Sequence, residues 1–175
     1  MQHGQAPDQR VHVANILGAL GVGLSDTAAS AVTSATGLDE TAAAALVTVA
    51  ERPGQSVSEL AAGLGTTHSG AVRTADRLER LGLLQRRPGA DRRTARLELT
   101  SDGAELAGRA LAARRTALAG LLARVDDEAI PALRQAIESI LSGLPRTRHD
   151  AWHICRLCEH AVCRGADCPV GSAVA

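Results

Sequence analysis

Four cysteines, the only ones in the chain, lie within fourteen residues near its C-terminus. Their spacing is C-x2-C-x4-C-x4-C, at Cys155, Cys158, Cys163 and Cys168. A C-x2-C turn can direct two thiolates at one metal ion, and two further cysteines complete a tetrahedral set. Residues 145–175, which we call the tail, are too few and too polar to bury a core of their own, and a metal would order such a segment. The pattern predicts that the four cysteines ligate one centre.

Several chemistries fit these cysteines. Structural Zn²⁺ is one; an iron–sulfur cluster is another, because Cys168-Pro169 resembles the end of some cluster motifs, although the preceding spacings differ. A thiol/disulfide switch is a third, since Arg156 and Arg164 could lower a thiol pKa, and cysteines without a role are a fourth. Three histidines of the tail could substitute as ligands: His149, His153 and His160.

Arginines form the second set of residues with chemical meaning. The chain is neutral overall, with 19 basic and 19 acidic residues, and every basic residue is Arg. Residues 66–99 nevertheless contain eight arginines against four acidic residues. A local positive excess of this kind favours a nucleic-acid partner.

Two short helices with a tight turn between them are predicted over residues 56–81, so the second helix lies within the basic stretch. Ser56 and Glu59 form a capping box that predicts a helix, which Gly65 ends. A second helix is predicted from about His68 to Leu81, followed by Gly82. One face of it is apolar and the other carries polar and cationic side chains. The pattern is typical of a helix-turn-helix.

A short β-hairpin is predicted next. Residues 83–87 and 95–99 have the composition or period-two alternation of strands, and residues 88–94 form a charged loop between them. The fold class is therefore mainly α with a small β-hairpin wing, a winged helix-turn-helix with long flanking dimerisation helices. The second short helix would present polar and Arg side chains to the major groove, and Arg92 or Arg93 in the wing would enter the minor groove. The predicted DNA-binding residues are Thr67, His68, Ser69, Arg73, Arg77, Arg92 and Arg93.

In these segments the chain resembles the MarR (multiple antibiotic resistance regulator) family. The resemblance is carried by SVSELA at 56–61, SGAVR at 69–73, DRLERLGLLQR at 76–86, DRR at 91–93 and LELTSDG at 97–103. It covers roughly residues 10–144 and implies a dimer made by the terminal helices, with a recognition helix and a wing in each subunit. The tail departs from the family pattern. The near absence of aromatic residues departs from the aromatic-lined effector pocket of many relatives.

The organisation expected from these signals has four parts. Residues 1–35 form an N-terminal arm and dimerisation helix, and 36–100 the winged helix-turn-helix DNA-binding domain. Residues 101–144 form C-terminal dimerisation helices, and 145–175 a Cys-rich metal-binding tail. The flanking helices carry more apolar surface than a small monomer could cover, which predicts a homodimer that reads a pseudo-palindromic operator in double-stranded DNA.

The expected function is a sequence-specific transcriptional regulator, a repressor that responds to a small-molecule effector, a metal or a redox signal. No catalytic constellation is visible, so no enzyme is expected. The sequence has no unbroken run of about 18 apolar residues and no leader pattern, which predicts a cytoplasmic protein without a membrane partner. The alternatives are a thiol or iron–sulfur redox protein or electron carrier that uses the tail cysteines, and a winged helix that binds only proteins.

Overall fold

The computed structural model describes residues 8–89, 95–163 and 168–174. It is mainly helical with one small hairpin, which confirms the predicted fold class. The elements are α1 Gln9–Thr36, α2 Glu40–Glu51, α3 Val57–Leu64, α4 His68–Arg80, β1 Leu84–Pro88, β2 Ala95–Leu99, α5 Ser101–Leu122, α6 Ile130–Ser142 and α7 Arg148–Ile154, with 3-10 turns at Asp127–Ala129 and Ser172–Val174.

Helix α2 lies at the centre of the core. Its residues 42–49 are all buried, and four consecutive alanines begin that run. Because alanine side chains are small, α1, α3, α4 and α5 can all approach this helix closely. A core without phenylalanine or tyrosine is therefore built from tight helix contacts and leucines such as Leu46, Leu60 and Leu78.

Side-chain caps begin each helix of the helix-turn-helix. The hydroxyl of Ser56 accepts a hydrogen bond from the Glu59 amide at 3.2 Å, while the Glu59 carboxylate accepts from the Ser56 amide at 2.7 Å. The amide and the hydroxyl of Ser56 both donate to the Glu59 carboxylate, and these two bonds lower the pKa of Glu59. The hydroxyl of Thr67 caps α4 by accepting from the amide of Gly70 at 3.1 Å. The capping box predicted from the sequence is present.

The wing is an antiparallel hairpin in which Leu84 faces Leu99 and Arg86 faces Leu97. Residues 54–55 also form hydrogen bonds with β2. The Gly54 amide donates to the Leu97 carbonyl and the Leu97 amide donates to the Gln55 carbonyl, both at 2.9 Å. The hairpin is thereby fixed to the chain segment between α2 and α3.

Helix α5 begins in direct contact with the wing. An added Cβ at Gly103 would lie 1.9 Å from the carbonyl oxygen of Leu83, so only glycine fits there. The Thr100 hydroxyl caps α5 and also donates to the Gly82 carbonyl at 2.7 Å. The helix ends at Leu122, and the 3-10 turn Asp127–Ala129 leads directly into α6.

The tail differs from the expectation of a polar segment without a core of its own. It contains α7, which begins with a second capping box between Thr147 and Asp150. Ala151, Leu157 and Val170 are buried, and α7 packs on α3. The tail therefore lies against the helix-turn-helix, whereas the sequence suggested only that it follows the last flanking helix.

Candidate DNA-binding surface and cysteine cluster

Helix α4 has two distinct faces. Ala71, Ala75 and Leu78 are fully buried against the core. The predicted contact residues lie on the other side and are all exposed: His68, Ser69, Arg73 and Arg77, with Thr67 at the cap. A helix held by one apolar face and presenting short polar and Arg side chains on the other can enter a major groove.

The N-terminus of α4 is organised by hydroxyl groups. Thr67 Oγ1 lies 3.2 Å from Ser69 Oγ and is also the cap of the helix. His68 Nδ1 lies 3.3 Å from Ser58 Oγ, which joins α4 to α3. These contacts set the angle between the two helices. Helix N-termini bind phosphate well because their amide groups and dipole point at the ligand.

Arg77 holds α4 against the start of α2. Its guanidinium forms an ion pair with Asp39, the residue that caps α2 through the amide of Ala42. Burial alone would raise the pKa of Asp39, but the Ala42 amide and Arg77 lower it overall. Asp39 lies 38 residues away, which no local spacing could reveal.

Arg86 joins α4 to the wing. Its guanidinium donates to Asp76 at 2.6 Å and to Glu79 at 2.5 Å. Burial would lower the pKa of Arg86, but the two carboxylates raise it overall. Arg87 pairs with Glu98 across the hairpin at 3.5 Å. Some of the arginines in the basic stretch therefore form ion pairs within the domain, whereas Arg73 is exposed in the middle of α4.

The loop of the wing lies outside the described residues. Arg92 and Arg93 fall in it, so their role stays a prediction. Arg96 on β2 is exposed and donates to the Gly54 carbonyl at 3.4 Å.

Cys155, Cys158, Cys163 and Cys168, the cysteine cluster, line one cavity. Among the described residues the four side chains are partly buried thiols, not disulfides. A hydrogen bond from Cys155 lowers the pKa of Cys158 to about 6, with help from Arg114 and Arg156 against the effect of burial. The same hydrogen bond, followed by burial, raises the pKa of Cys155. The shared hydrogen bond therefore favours the thiolate form of Cys158 over that of Cys155. No group of three or more His, Cys, Asp or Glu in the described part of the chain converges as a metal site.

The histidines of the tail have other contacts. The His153 ring lies on Gly65, where an added Cβ would be 2.5 Å from Nδ1. His149 packs on Trp152 with ring centroids 5.2 Å apart, and His160 Nδ1 lies 3.1 Å from a Glu51 carboxylate oxygen. Of the three, His160 also lines the cavity of the cysteine cluster.

Two long surfaces outside the core are apolar and exposed. Val11, Ile16, Leu17 and Leu20 on α1 are between 43% and 63% exposed, and α6 has no buried residue. Helix α1 also has the length and mean hydropathy, 1.3 over 18 residues, of a membrane span. The sequence expectation missed this because small residues interrupt the apolar run. Length and composition alone are weak evidence for a membrane, since a helix covered by a second chain has the same character.

Comparisons with known proteins agree with this geometry. The fold defines a winged helix-turn-helix protein. The MarR family model matches residues 36–94, from the end of α1 through the wing loop. The transcriptional repressor MprA of Escherichia coli K12 is 33% identical over 119 residues, 66% of this chain and 68% of MprA. This chain belongs to the MarR family and is a DNA-binding transcriptional regulator.

Solved structures show the same fold. YusO from Bacillus subtilis aligns with a TM-score of 0.67 at 23% identity, over 79% of this chain and 99% of YusO. A MarR family protein of Mycobacterium tuberculosis in complex with p-aminosalicylic acid aligns with 0.59 at 28% identity, over 73% and 96%. CouR from Rhodococcus jostii RHA1, bound to p-coumaroyl-CoA, aligns with 0.59 at 24% identity, over 77% and 95%. A fifth or more of this chain has no counterpart in these alignments.

The family membership also carries general properties. MarR regulators bind DNA operators, act as dimers and bind small-molecule effectors. They are in general cytoplasmic and without enzymatic activity.

Proposed function

We propose that this chain is a cytoplasmic, non-enzymatic repressor that binds a pseudo-palindromic operator as a homodimer and releases it in response to a small ligand, a metal or a redox signal. The observation that carries the proposal is the exposed polar face of α4 opposite its buried Ala71, Ala75 and Leu78. Repression itself is proposed by analogy with MprA.

In this proposal α4 lies in the major groove with its N-terminus toward the bases. His68 and Ser69 stand in the first turn, and Arg73 projects from the next turn of the same exposed face. Arg73 has the length and the paired donors to bind a guanine edge. Thr67 contributes through its cap, which holds the first turn in place.

We expect Arg77 to contribute less to DNA binding than Arg73. The guanidinium of Arg77 forms an ion pair with Asp39, so a DNA phosphate would have to compete with that carboxylate. We assign Arg77 to positioning α4, with a secondary contact to the DNA backbone. Arg92 and Arg93 keep the role proposed from the sequence, in which one of them enters the minor groove.

The homodimer would be built from α1 and α6. Both helices carry exposed apolar side chains, including Ile16 and Leu20 on α1 and Ile137 and Ile140 on α6. Covering such faces is favourable by roughly 25 cal/mol for each Å² of apolar surface. Two-fold pairing would place the two α4 helices about one turn of DNA apart.

An effector could bind between α1, α5 and the tail. A cavity there is lined by apolar residues such as Leu24 and Leu118 together with Arg114, Arg156 and Glu40, and Glu40 pairs with Arg156. Apolar walls with one further cation, Arg114, suit a small aromatic carboxylate. The relative from M. tuberculosis binds p-aminosalicylic acid, which belongs to this chemical class.

The second candidate function is a thiol redox protein. The lowered pKa of Cys158 and its hydrogen bond with Cys155 favour it. However, the sheet of the described residues is one antiparallel pair, whereas a thioredoxin-like C-x-x-C belongs to a βαβ unit. A redox role for the cysteines therefore fits best as a signal to the DNA-binding domain.

The proposal is tested with duplex DNA selected from a random library and fluorescence anisotropy at fixed salt. Arg73→Ala should weaken binding by about 1–3 kcal/mol per half-site and relax base preference. Arg124→Ala is the matched control, because Arg124 is exposed beyond the far end of α5. Equal affinities for Arg73→Ala and the wild type would remove α4 as the reading helix.

A further inference from the structure

The cysteine cluster lies in a partly open cavity rather than on an isolated strand. Its four thiols border one cavity together with Trp152, Pro169 and Val170. Val170 is buried, and the Gly171 amide donates to Cys168 Sγ at 3.2 Å. Amide hydrogen bonds to sulfur orient a thiolate and offset its charge, as outer partners do around bound metals.

Two arginines lie near the cysteines. Arg114 of α5 lines the cavity together with Glu51, and Arg156, which pairs with Glu40, lies between the first two cysteines of the motif. Four thiolates around one metal centre carry more negative charge than the metal neutralises, and nearby guanidinium groups offset the remainder. The thiols do not converge on one point among the described residues, so ligation requires the four sulfur atoms to approach one another more closely.

We propose that Cys155, Cys158, Cys163 and Cys168 bind a thiolate-ligated metal centre, Zn²⁺ or an iron–sulfur cluster, which clasps the tail onto the helix-turn-helix and thereby strengthens operator binding. On ligation each thiol releases its proton and the sulfur forms a bond to the metal. The consequence for the operator rests on the proposed function above; the metal site does not.

The contacts of the tail show where the clasp holds. Arg156 forms an ion pair with Glu40 of α2 at 2.8 Å, and the Arg52 guanidinium lies 4.4 Å from the Trp152 ring. One of these contacts lies just before the cysteine motif and the other within it, and each reaches an end of α2. The tail therefore spans the central helix of the core from the outside.

One contact reaches the turn of the helix-turn-helix itself. Gly65 ends α3 in a left-handed conformation, with φ of 62°, two residues before the cap of α4. The ring of His153 covers this glycine. A tail that is docked here restricts the turn that sets α4, so the docked state is pre-organised for the groove.

The docked position of the tail needs a further stabilising interaction. Helix α7 has seven residues, and helices this short are marginal without tertiary support. The ion pairs that join the tail to the domain, Arg156–Glu40 and Glu159–Arg115, are partly exposed and contribute little in water. Bonds from the four thiolates to one metal centre would fix the tail more firmly than these ion pairs do.

The site is tested first by composition. Protein purified without oxygen is analysed for zinc, iron and acid-labile sulfide, and for visible absorbance. About one zinc per chain in colourless protein, or iron and sulfide with a broad visible band, supports the site and distinguishes its two forms. Cys155→Ser with Cys158→Ser should lose the metal, whereas Val162→Ala, an exposed neighbour, should keep it. Metal-free wild type that does not take up Zn²⁺, or iron with sulfide, would overturn the site.

The clasp is tested with the single tryptophan of the chain. Trp152 lies over Arg52 and lines the cavity, so its emission reports docking of the tail. Removing the metal with a chelator should shift the emission maximum to longer wavelength while the helical circular dichroism of the domain stays. An unshifted maximum after complete metal loss would overturn the clasp.

The last arm measures operator affinity. Metal-free protein and the double serine variant should bind the selected duplex about 5-fold or more weakly, in the range usual for coupled sites. His153→Ala should weaken binding in the same direction while it keeps the metal. Affinity that is unchanged in all three would overturn the coupling. Failure of every form to bind DNA would instead count against the proposed function and leave the metal and emission results standing.

Discussion

At the scale of single residues, Asp39 and Arg77 show how one pair serves two helices. Asp39 caps α2 and its second carboxylate oxygen holds Arg77 of α4. The pKa of Asp39 is lowered in the folded chain, so its charge stabilises the fold above the unfolded pKa and this contribution is lost as pH falls through the folded pKa.

The first prediction concerns this pair. Asp39→Asn keeps a good cap but removes the charge, so it should cost at most about 1 kcal/mol at pH 7, because both side chains are about half exposed. The difference from wild type should shrink below pH 4. Urea unfolding at pH 7 and pH 3 measures it. A difference that grows as pH falls would contradict the assigned pKa shift.

The second prediction concerns the wing. Arg92→Ala with Arg93→Ala should weaken operator binding and flatten its dependence on salt concentration, because fewer counterions are released. Arg87→Ala is the comparison, since Arg87 is already paired with Glu98 on the hairpin. A double variant with the wild-type salt slope would show that the wing loop does not contact DNA.

At the scale of elements, the contact between α5 and the wing depends on one missing side chain. Gly103 of α5 meets the Leu83 carbonyl, while Gly108, one turn and a half further on, has open space around it. Substitutions at these two glycines therefore distinguish the effect of close packing from the effect of helix propensity.

The third prediction compares them. Gly103→Ala should destabilise the fold by about 1–3 kcal/mol, because the added methyl overlaps a backbone oxygen. Gly108→Ala should be stabilising by about 0.4–1 kcal/mol, as expected for alanine in an open helical position. Denaturant unfolding of the two variants checks both signs. Equal effects of the two would mean that α5 does not approach the wing this closely.

Most elements up to α5 could be predicted from the sequence, because their ends are local signals. The Ser56–Glu59 capping box and Gly65 mark α3, and Gly82 follows α4. Helix α7 was missed although Thr147 and Asp150 form the same kind of box.

The tertiary partners could not be predicted. Arg156 and Glu40 are 116 residues apart, and no spacing rule connects them. The same holds for His153 on Gly65. Residue type and helix face indicated which side chains of α4 are exposed. Which arginines are used inside the domain depends on packing that a single sequence does not encode locally.

At the scale of the whole molecule, the exposed apolar faces of α1 and α6 indicate that a second chain covers them. The fourth prediction is a mass twice the chain's 18.0 kDa by light scattering at micromolar concentration. Leu20→Asp should lower that mass by placing a charge in the α1 face, which is 53% exposed at this residue. Val162→Asp, an exposed apolar position of the tail, should not. A monomeric wild type would contradict the dimer.

The most direct test of the account is selection of duplexes by the wild-type protein from a random library. The account predicts an inverted repeat with half-sites about 10 base pairs apart, because two α4 helices read one face of the DNA. Affinity for that repeat should exceed affinity for unselected DNA by roughly 10³-fold or more at matched salt. Recovery of no enriched sequence, or of a single half-site bound by one chain, would contradict it.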